Sequence, residues 1–172
     1  MTLVPASQRL DPWRWLGLPS LACVAATIVL ATPLRAYGLQ LPEPVFPLVL
    51  AFAWAVIRPS ILAPFTLLLL GLFLDQWWGG PIGLWAIALL AAYAVTLSVR
   101  RVLSGLGWWG MGAWYAVAVG LAMTSGYLMT MLDTGSAPSP FAVFWQFLAS
   151  LVLFPFANRL IERFEDADVR FR

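Results

Sequence analysis

The sequence predicts an all-α integral membrane protein, a compact bundle of about six transmembrane helices with both termini in the cytoplasm. The first observation behind this prediction is composition. Of 172 residues, 62% are hydrophobic and only 10% are charged, and the mean hydropathy is +0.85. A water-soluble domain of this size cannot cover so much apolar surface with so few polar side chains. The other two observations are the division of the chain into apolar runs and the placement of its arginines.

Apolar runs follow one another along the chain, separated by short segments that contain polar residues, Pro or Gly. They cover residues 16–34, 44–57, 61–78, 82–99, 108–132 and 141–157. Most contain the roughly 17 to 25 residues that a hydrocarbon core of about 30 Å requires of a helix. The second run is short, and Pro42, Pro44 and Pro47 crowd its start, so it is interpreted as either a kinked crossing or a partly re-entrant helix.

The short loops predict a single transmembrane domain at residues 16–158. A cytoplasmic or interfacial segment, 1–15, precedes it, and a charged cytoplasmic tail, 159–172, follows it. An amino-terminal signal peptide is a weaker interpretation, because the first apolar run is longer than the roughly 7 to 15 residues of a signal-peptide core.

The basic residues, all of them arginine, orient the predicted bundle, because short cytoplasmic loops are enriched in Arg and Lys. They precede the first run, join the second to the third and the fourth to the fifth, and follow the sixth: Arg9, Arg14, Arg58, Arg100, Arg101, Arg159, Arg163, Arg170 and Arg172. Arg35 alone falls on the opposite side. The arginine-rich side, which carries both termini, is therefore assigned to the cytoplasm.

The residue inventory argues against most chemistry. With one cysteine, Cys23, and no histidine, the chain lacks the usual ligands of zinc and haem and the usual imidazole acid or base. The arginines are too dispersed to form a phosphate-binding face for nucleic acid. Paired carboxylates, or a nucleophile beside a base, are also not seen at membrane depth. We expect a non-enzymatic protein without cofactor or metal.

One carboxylate interrupts the apolar runs: Asp75, in GLFLDQWWGGPIG at residues 71–83. At 1.5 Å per residue it lies about 21 Å into the third predicted helix, near the outer membrane boundary. Pro81 is expected at the first position of the next helix, which makes this stretch the tip of a helical hairpin. Gly71 lies one turn before Asp75 on the same face, so a neighbouring helix can approach closely there.

Asp75 has two interpretations. In the first, it contacts water and lipid headgroups, as acidic residues at membrane boundaries often do. In the second, it pairs with Arg35 on the same side of the membrane or with a polar group of another protein. A negative charge near a helix carboxyl end opposes the helix dipole by a few tenths to about 1 kcal/mol, so position alone does not favour aspartate there. We hypothesise a pair between Asp75 and Arg35 that locks the fold.

The hairpin and its flanks also carry a family resemblance. The stretch RPSILAPFTLLLLGLFLDQWWGGPIGLWAI resembles the core of the bacterial rod shape-determining MreD family. The matching positions are an Arg-Pro turn, a leucine-rich helix that ends in Gly-x-x-x-Asp, and a Gly-Pro-x-Gly motif: Arg58, Pro59, Gly71, Asp75, Gly80, Pro81 and Gly83. The proline-rich LPEPVFPL and the closing RFEDADVRFR are similar to the same family.

The resemblance implies a non-enzymatic scaffold subunit of the machinery that synthesises lateral peptidoglycan in the bacterial inner membrane and so maintains rod shape. Its implied partners are the lipid bilayer and an MreC-like bitopic protein and, through the latter, MreB, RodA and the transpeptidase of RodA. The matching residues carry over as structural or partner-facing positions, with no catalytic role. The implied fold is similar to the substrate-binding subunits of energy-coupling-factor vitamin transporters, which gives an alternative: a membrane subunit that binds a small molecule.

Overall fold

The computed structural model describes the backbone of residues 13–30, 35–36, 39–40, 43–57, 60–103 and 105–169. Side chains are described over the same ranges except for residues 14, 35–36, 39–40 and 165–169. Arg58 and Pro59, the Arg-Pro turn of the sequence motif, lie outside the described residues.

Helices make up nearly all of the described chain, which confirms the all-α prediction. A π-helical turn at Trp13–Gly17 leads into the first helix, and two-residue strands β1 (Arg35–Ala36) and β2 (Leu39–Gln40) pair antiparallel after it. The helices are α1 (Leu18–Leu30), α2 (Pro47–Ile57), α3 (Leu62–Trp78), α4 (Leu84–Leu103), α5 (Trp108–Thr134), α6 (Pro140–Leu151) and α7 (Phe154–Val169).

Three helical stretches are long and apolar enough to cross a membrane: Leu84–Leu103, Trp108–Thr134 and Pro140–Phe164. The remaining apolar helices of the described chain, Trp15–Leu30, Pro47–Ile57 and Leu62–Trp78, are shorter. The chain therefore has the character of a membrane protein, while a bundle of six crossings stays a prediction.

The last long stretch contains a break that the sixth apolar run does not anticipate. α6 ends at Leu151, a turn occupies Val152 and Leu153, and α7 begins at Phe154. Pro155 explains the break, because proline has no N–H for the helical ladder and its ring clashes with the carbonyl four residues earlier. α7 then continues without interruption to Val169, across the boundary expected between bundle and tail.

The core of the fold is α2, which is buried on every side from Pro47 to Val56. It packs mainly against α4, α7 and α3, with smaller contacts to α1 and α5. Its 11 residues rise only about 16 Å, roughly half of a hydrocarbon core of about 30 Å. The short second run thus forms a central helix that the longer helices surround.

A buried helix needs partners for the backbone groups at its ends, since water cannot supply them. At the amino end, the N–H of Val45 donates to Oγ of Ser150, which is fully buried, at 3.1 Å. At the carboxyl end, Arg100 donates from Nε to the carbonyl of Val56 at 2.8 Å and from Nη2 to that of Ile57 at 3.1 Å. Side chains of α6 and α4 therefore fix both ends of α2.

Candidate functional site

Asp75 is the buried carboxylate of the α3–α4 hairpin, and only 2% of it is exposed. Its Oδ2 accepts the N–H of Gly83 at 2.7 Å, and its Oδ1 accepts the N–H of Trp85 at 2.8 Å. Both donors lie at the start of α4, where N–H groups lack helical partners and the helix dipole is positive. The charge that opposes the dipole of α3 is therefore stabilised by the amino end of α4.

The backbone of Asp75 ends its own helix. Its carbonyl accepts the N–H of Gly79 and the N–H of Gly80, the latter at 3.1 Å. Gly79 has a φ of 66°, the left-handed conformation in which glycine commonly ends helices. One residue thus closes α3 through its carbonyl and caps α4 through its carboxylate.

Gly71 marks the closest approach of the two helices. A Cβ placed there would overlap the backbone N and Cα of Ala86 and would lie 2.8 Å from the carbonyl carbon of Trp85. Any side chain larger than hydrogen would push α4 away from α3, as at other contacts between membrane helices that depend on small residues. Gly71 therefore holds the spacing that brings Asp75 within reach of its two donors.

The turn between the helices differs from the sequence prediction. Pro81 was expected at the first position of the next helix, but α4 begins three residues later, at Leu84. Gly83 has a φ of 97°, which no right-handed helix accommodates, and the N–H of Leu84 bonds the carbonyl of Pro81 at 3.2 Å in a turn. Pro81 therefore belongs to the turn. The carbonyl of Gly83 accepts the first helical bond, from Ile87 at 2.9 Å.

Two tryptophans connect the hairpin tip to the rest of the bundle. Trp78 and Trp85 meet edge to face, with ring centroids 5.1 Å apart. Nε1 of Trp78 donates to Oε2 of Glu43 at 2.9 Å, and Nε2 of Gln146 contacts the carbonyl of Glu43 at 3.5 Å. The tip is therefore tied to the segment before α2 and to α6. Sequence reasoning missed the role of Glu43, because its partners lie 35 and 103 residues away.

The structure decides one of the two interpretations of Asp75. Contact with water and headgroups is wrong, because the residue is buried under α4. The pairing with Arg35 stays a prediction, since the side chain of Arg35 lies outside the described residues. The partners that the structure describes are backbone N–H groups. Gly83 bonds the carboxylate and Gly80 bonds the carbonyl of Asp75. Gly71 sets the spacing of the two helices, and Pro81 lies in the turn between them.

The role of Asp75 in this arrangement is structural. Each carboxylate oxygen of Asp75 already accepts a short hydrogen bond, and α4 covers the group, so it is poorly placed to act as a base or nucleophile. Among the described residues, no group of three or more His, Cys, Asp or Glu side chains could hold a metal ion.

No protein-family model, curated protein or solved structure matches this chain.

Proposed function

We propose that this chain is a non-enzymatic scaffold subunit of the bacterial cell-wall elongation complex. In this role it sits in the inner membrane, supports an MreC-like bitopic protein and thereby sustains lateral peptidoglycan synthesis and rod shape. The observation that carries the proposal is the hairpin. Gly71, Asp75 and Gly83, which carry the resemblance to the MreD family, all act in joining α3 to α4.

The use of polar side chains inside the bundle favours a scaffold over an enzyme. Asp75 caps α4, Ser150 bonds the amino end of α2, and Arg100 bonds its carboxyl end. Buried polar groups that bond to backbone at helix ends stabilise one arrangement of helices. A bundle held in one arrangement presents a constant surface to a partner, which is what a scaffold requires.

The partners in this proposal follow from the resemblance. The direct protein partner is a single-span MreC-like protein, and MreB, RodA and the transpeptidase are reached through it. The lipid bilayer is the second partner, and the three long apolar helices support that part of the proposal. No nucleic acid, cofactor or metal enters it.

Purification from native bacterial membranes after mild cross-linking tests the proposal. The tagged chain should retain an MreC-like bitopic protein in stoichiometric amount. Gly71→Ala, which forces α3 and α4 apart, should lose it. Gly120→Ala is the matched control, because its added Cβ would meet only Phe147 at an ordinary 3.7 Å, and it should keep the partner.

The alternative, a vitamin-transport subunit, predicts a different result from the same preparation. The purified chain would then carry a bound small molecule, visible by native mass spectrometry, and would co-purify with an ATPase module in place of the bitopic protein. That outcome would overturn the scaffold proposal.

A further inference from the structure

A lateral groove of about 840 Å³ runs between α1, α2 and α7, away from the hairpin. Its lining is apolar except for Cys23 and Arg163. The rim is open to the outside of the bundle, where Leu18 of α1 is 54% exposed and Phe156 of α7 is 63% exposed. In a membrane this rim faces lipid.

The shape of the groove comes from small residues on one wall and large residues on the other. α1 contributes Ala22 and Ala26, one helical turn apart, while α7 contributes Phe156 and Leu160. The alanines leave room that a longer side chain would fill. The result is a groove with smooth apolar walls, suited to a flexible hydrocarbon chain.

Arg163 lies at one end of this groove. Along α7 and the turn before it, the lining residues run from Leu153 to Phe164, about 16 Å at 1.5 Å per residue, or half of a hydrocarbon core of about 30 Å. The groove therefore has the length of one leaflet, and Arg163, the one charged side chain among its described lining residues, lies at the end that the arginine pattern assigns to the cytoplasm. The aliphatic stem of Arg163 can lie along the wall while its guanidinium reaches the headgroup level.

We infer that the groove binds an acyl chain of an anionic phospholipid, with the lipid phosphate on Arg163. Guanidinium groups bind phosphate through paired, charge-assisted hydrogen bonds, and anionic lipid is attracted to basic residues at the cytoplasmic surface. Glu162, the neighbouring acidic residue, accepts a hydrogen bond from Asn158. The apolar walls contact the acyl chain, and the guanidinium of Arg163 favours a headgroup with a net negative charge.

Native mass spectrometry of the purified, delipidated full-length chain tests this inference with added lipids. Phosphatidylglycerol should be retained in preference to zwitterionic phosphatidylethanolamine of the same acyl composition. Arg163→Gln should weaken phosphatidylglycerol binding about tenfold, as expected for losing a charge-assisted pair. Arg159→Gln removes a charge from an exposed residue of the same helix outside the groove and should leave binding unchanged.

A second pair of variants tests the apolar part of the groove. Ala22→Phe fills the groove and should reduce retention of both lipids, whereas Ala25→Phe, on the exposed part of α1 outside the groove, should not. Thermal unfolding of each variant establishes that the fold is intact. Equal retention of the two lipids, or equal loss in Arg163→Gln and Arg159→Gln, would overturn the inference.

Photo-cross-linking in native membranes identifies the occupant directly. A benzoylphenylalanine in place of Phe156, an aromatic lining residue, should give an adduct with the mass of one phospholipid, in higher yield than the same probe in place of Ala25. A main adduct with another protein, a second copy or the amino-terminal segment of the chain itself would show a different occupant and refute the lipid assignment.

Discussion

Removing the carboxylate of Asp75 should destabilise the bundle more than any other single change to a charged side chain in the hairpin. Asp75→Ala deletes two charge-assisted hydrogen bonds and leaves the buried N–H of Trp85 and the part-buried N–H of Gly83 without their acceptor. A hydrogen bond to a charged group contributes about 1.5 to 3 kcal/mol, so the loss of two costs about 4 kcal/mol together.

Asp75→Asn should have an intermediate effect. The amide oxygen can accept one of the two N–H groups, but the amide NH₂ then faces the other donor. One hydrogen bond is kept and one is replaced by a contact between donors, so the expected loss is about 2 kcal/mol. The two variants therefore separate the hydrogen-bonding role of the carboxylate from its volume.

Thermal unfolding in detergent micelles, followed by circular dichroism, measures the effect. For a chain of this size 1 kcal/mol corresponds to roughly 2 to 4 °C in Tm, so Asp75→Ala should lower Tm by about 8 to 16 °C and Asp75→Asn by about half as much. Hydrogen exchange should become faster at the amides of both Gly83 and Trp85 in Asp75→Ala, and at one of these two amides in Asp75→Asn.

Asp133→Asn is the matched control. Asp133 also lies near the carboxyl end of a helix, α5, but it is exposed, so its neutralisation should change stability by less than about 0.5 kcal/mol. The reasoning is refuted if Asp75→Ala unfolds at the same temperature as Asp133→Asn with unchanged amide exchange.

Three further changes test neighbouring contacts by the same unfolding assay. Gly71→Ala should cost more than about 3 kcal/mol because its Cβ overlaps the backbone of α4, whereas Gly120→Ala should be neutral or slightly stabilising through helix propensity. Gly83→Ala should cost about 1 to 3 kcal/mol from its positive φ alone, while Gly107→Ala, before α5 and with equally open space but a φ of −71°, should cost well below that. Arg100→Gln should cost about 2 to 3 kcal/mol by leaving the last carbonyls of α2 without their charged donor, and Arg100→Lys should recover part of the loss.

Each of these pairs has a result that would contradict it. Equal unfolding temperatures for the two variants Gly71→Ala and Gly120→Ala would mean that α3 and α4 are not in backbone contact. Equal unfolding temperatures for Gly83→Ala and Gly107→Ala would mean that the positive φ of Gly83 does not penalise a side chain there. Full stability of Arg100→Gln would mean that water or another group already bonds the end of α2.

The positions of the middle helices could be predicted from the sequence because Gly or Pro shortly precedes each run and Gly or a charged residue follows it. The runs 61–78, 82–99 and 108–132 correspond to α3 at Leu62–Trp78, α4 at Leu84–Leu103 and α5 at Trp108–Thr134. The start of α4 was misplaced because a proline at the first helical position is a strong general pattern. The conformation of Gly83, which decides the start, depends on the carboxylate that bonds its N–H.

The break between α6 and α7 has a sequence signal, Pro155, that hydropathy alone does not capture. Residues 141–157 form one apolar run, and hydropathy alone does not register that Pro155 lies inside it. The rule that proline interrupts the helical ladder would have divided the run near the observed turn.

The hydrogen-bond partners of Asp75 could not be predicted from the sequence, for a different reason. Sequence reasoning matched a charged side chain with another charged side chain and proposed Arg35, a pairing that stays a prediction. The hydrogen bonds that the structure describes come from backbone N–H groups, which every residue except proline carries. The same limit applies to Ser150 and Arg100, whose partners lie 105 and 44 residues away along the chain. Residue type marked Asp75 as unusual, and only the packing of α3 on α4 supplied its partners.

The proposed scaffold role in cell-wall elongation is tested most directly by depleting this protein in its native host and measuring cell width by phase-contrast microscopy over several generations. The account predicts that cells widen, become round and finally lyse, and that wild-type protein and the Gly120→Ala variant restore rods whereas Gly71→Ala does not. Rods of unchanged width after complete depletion would contradict it.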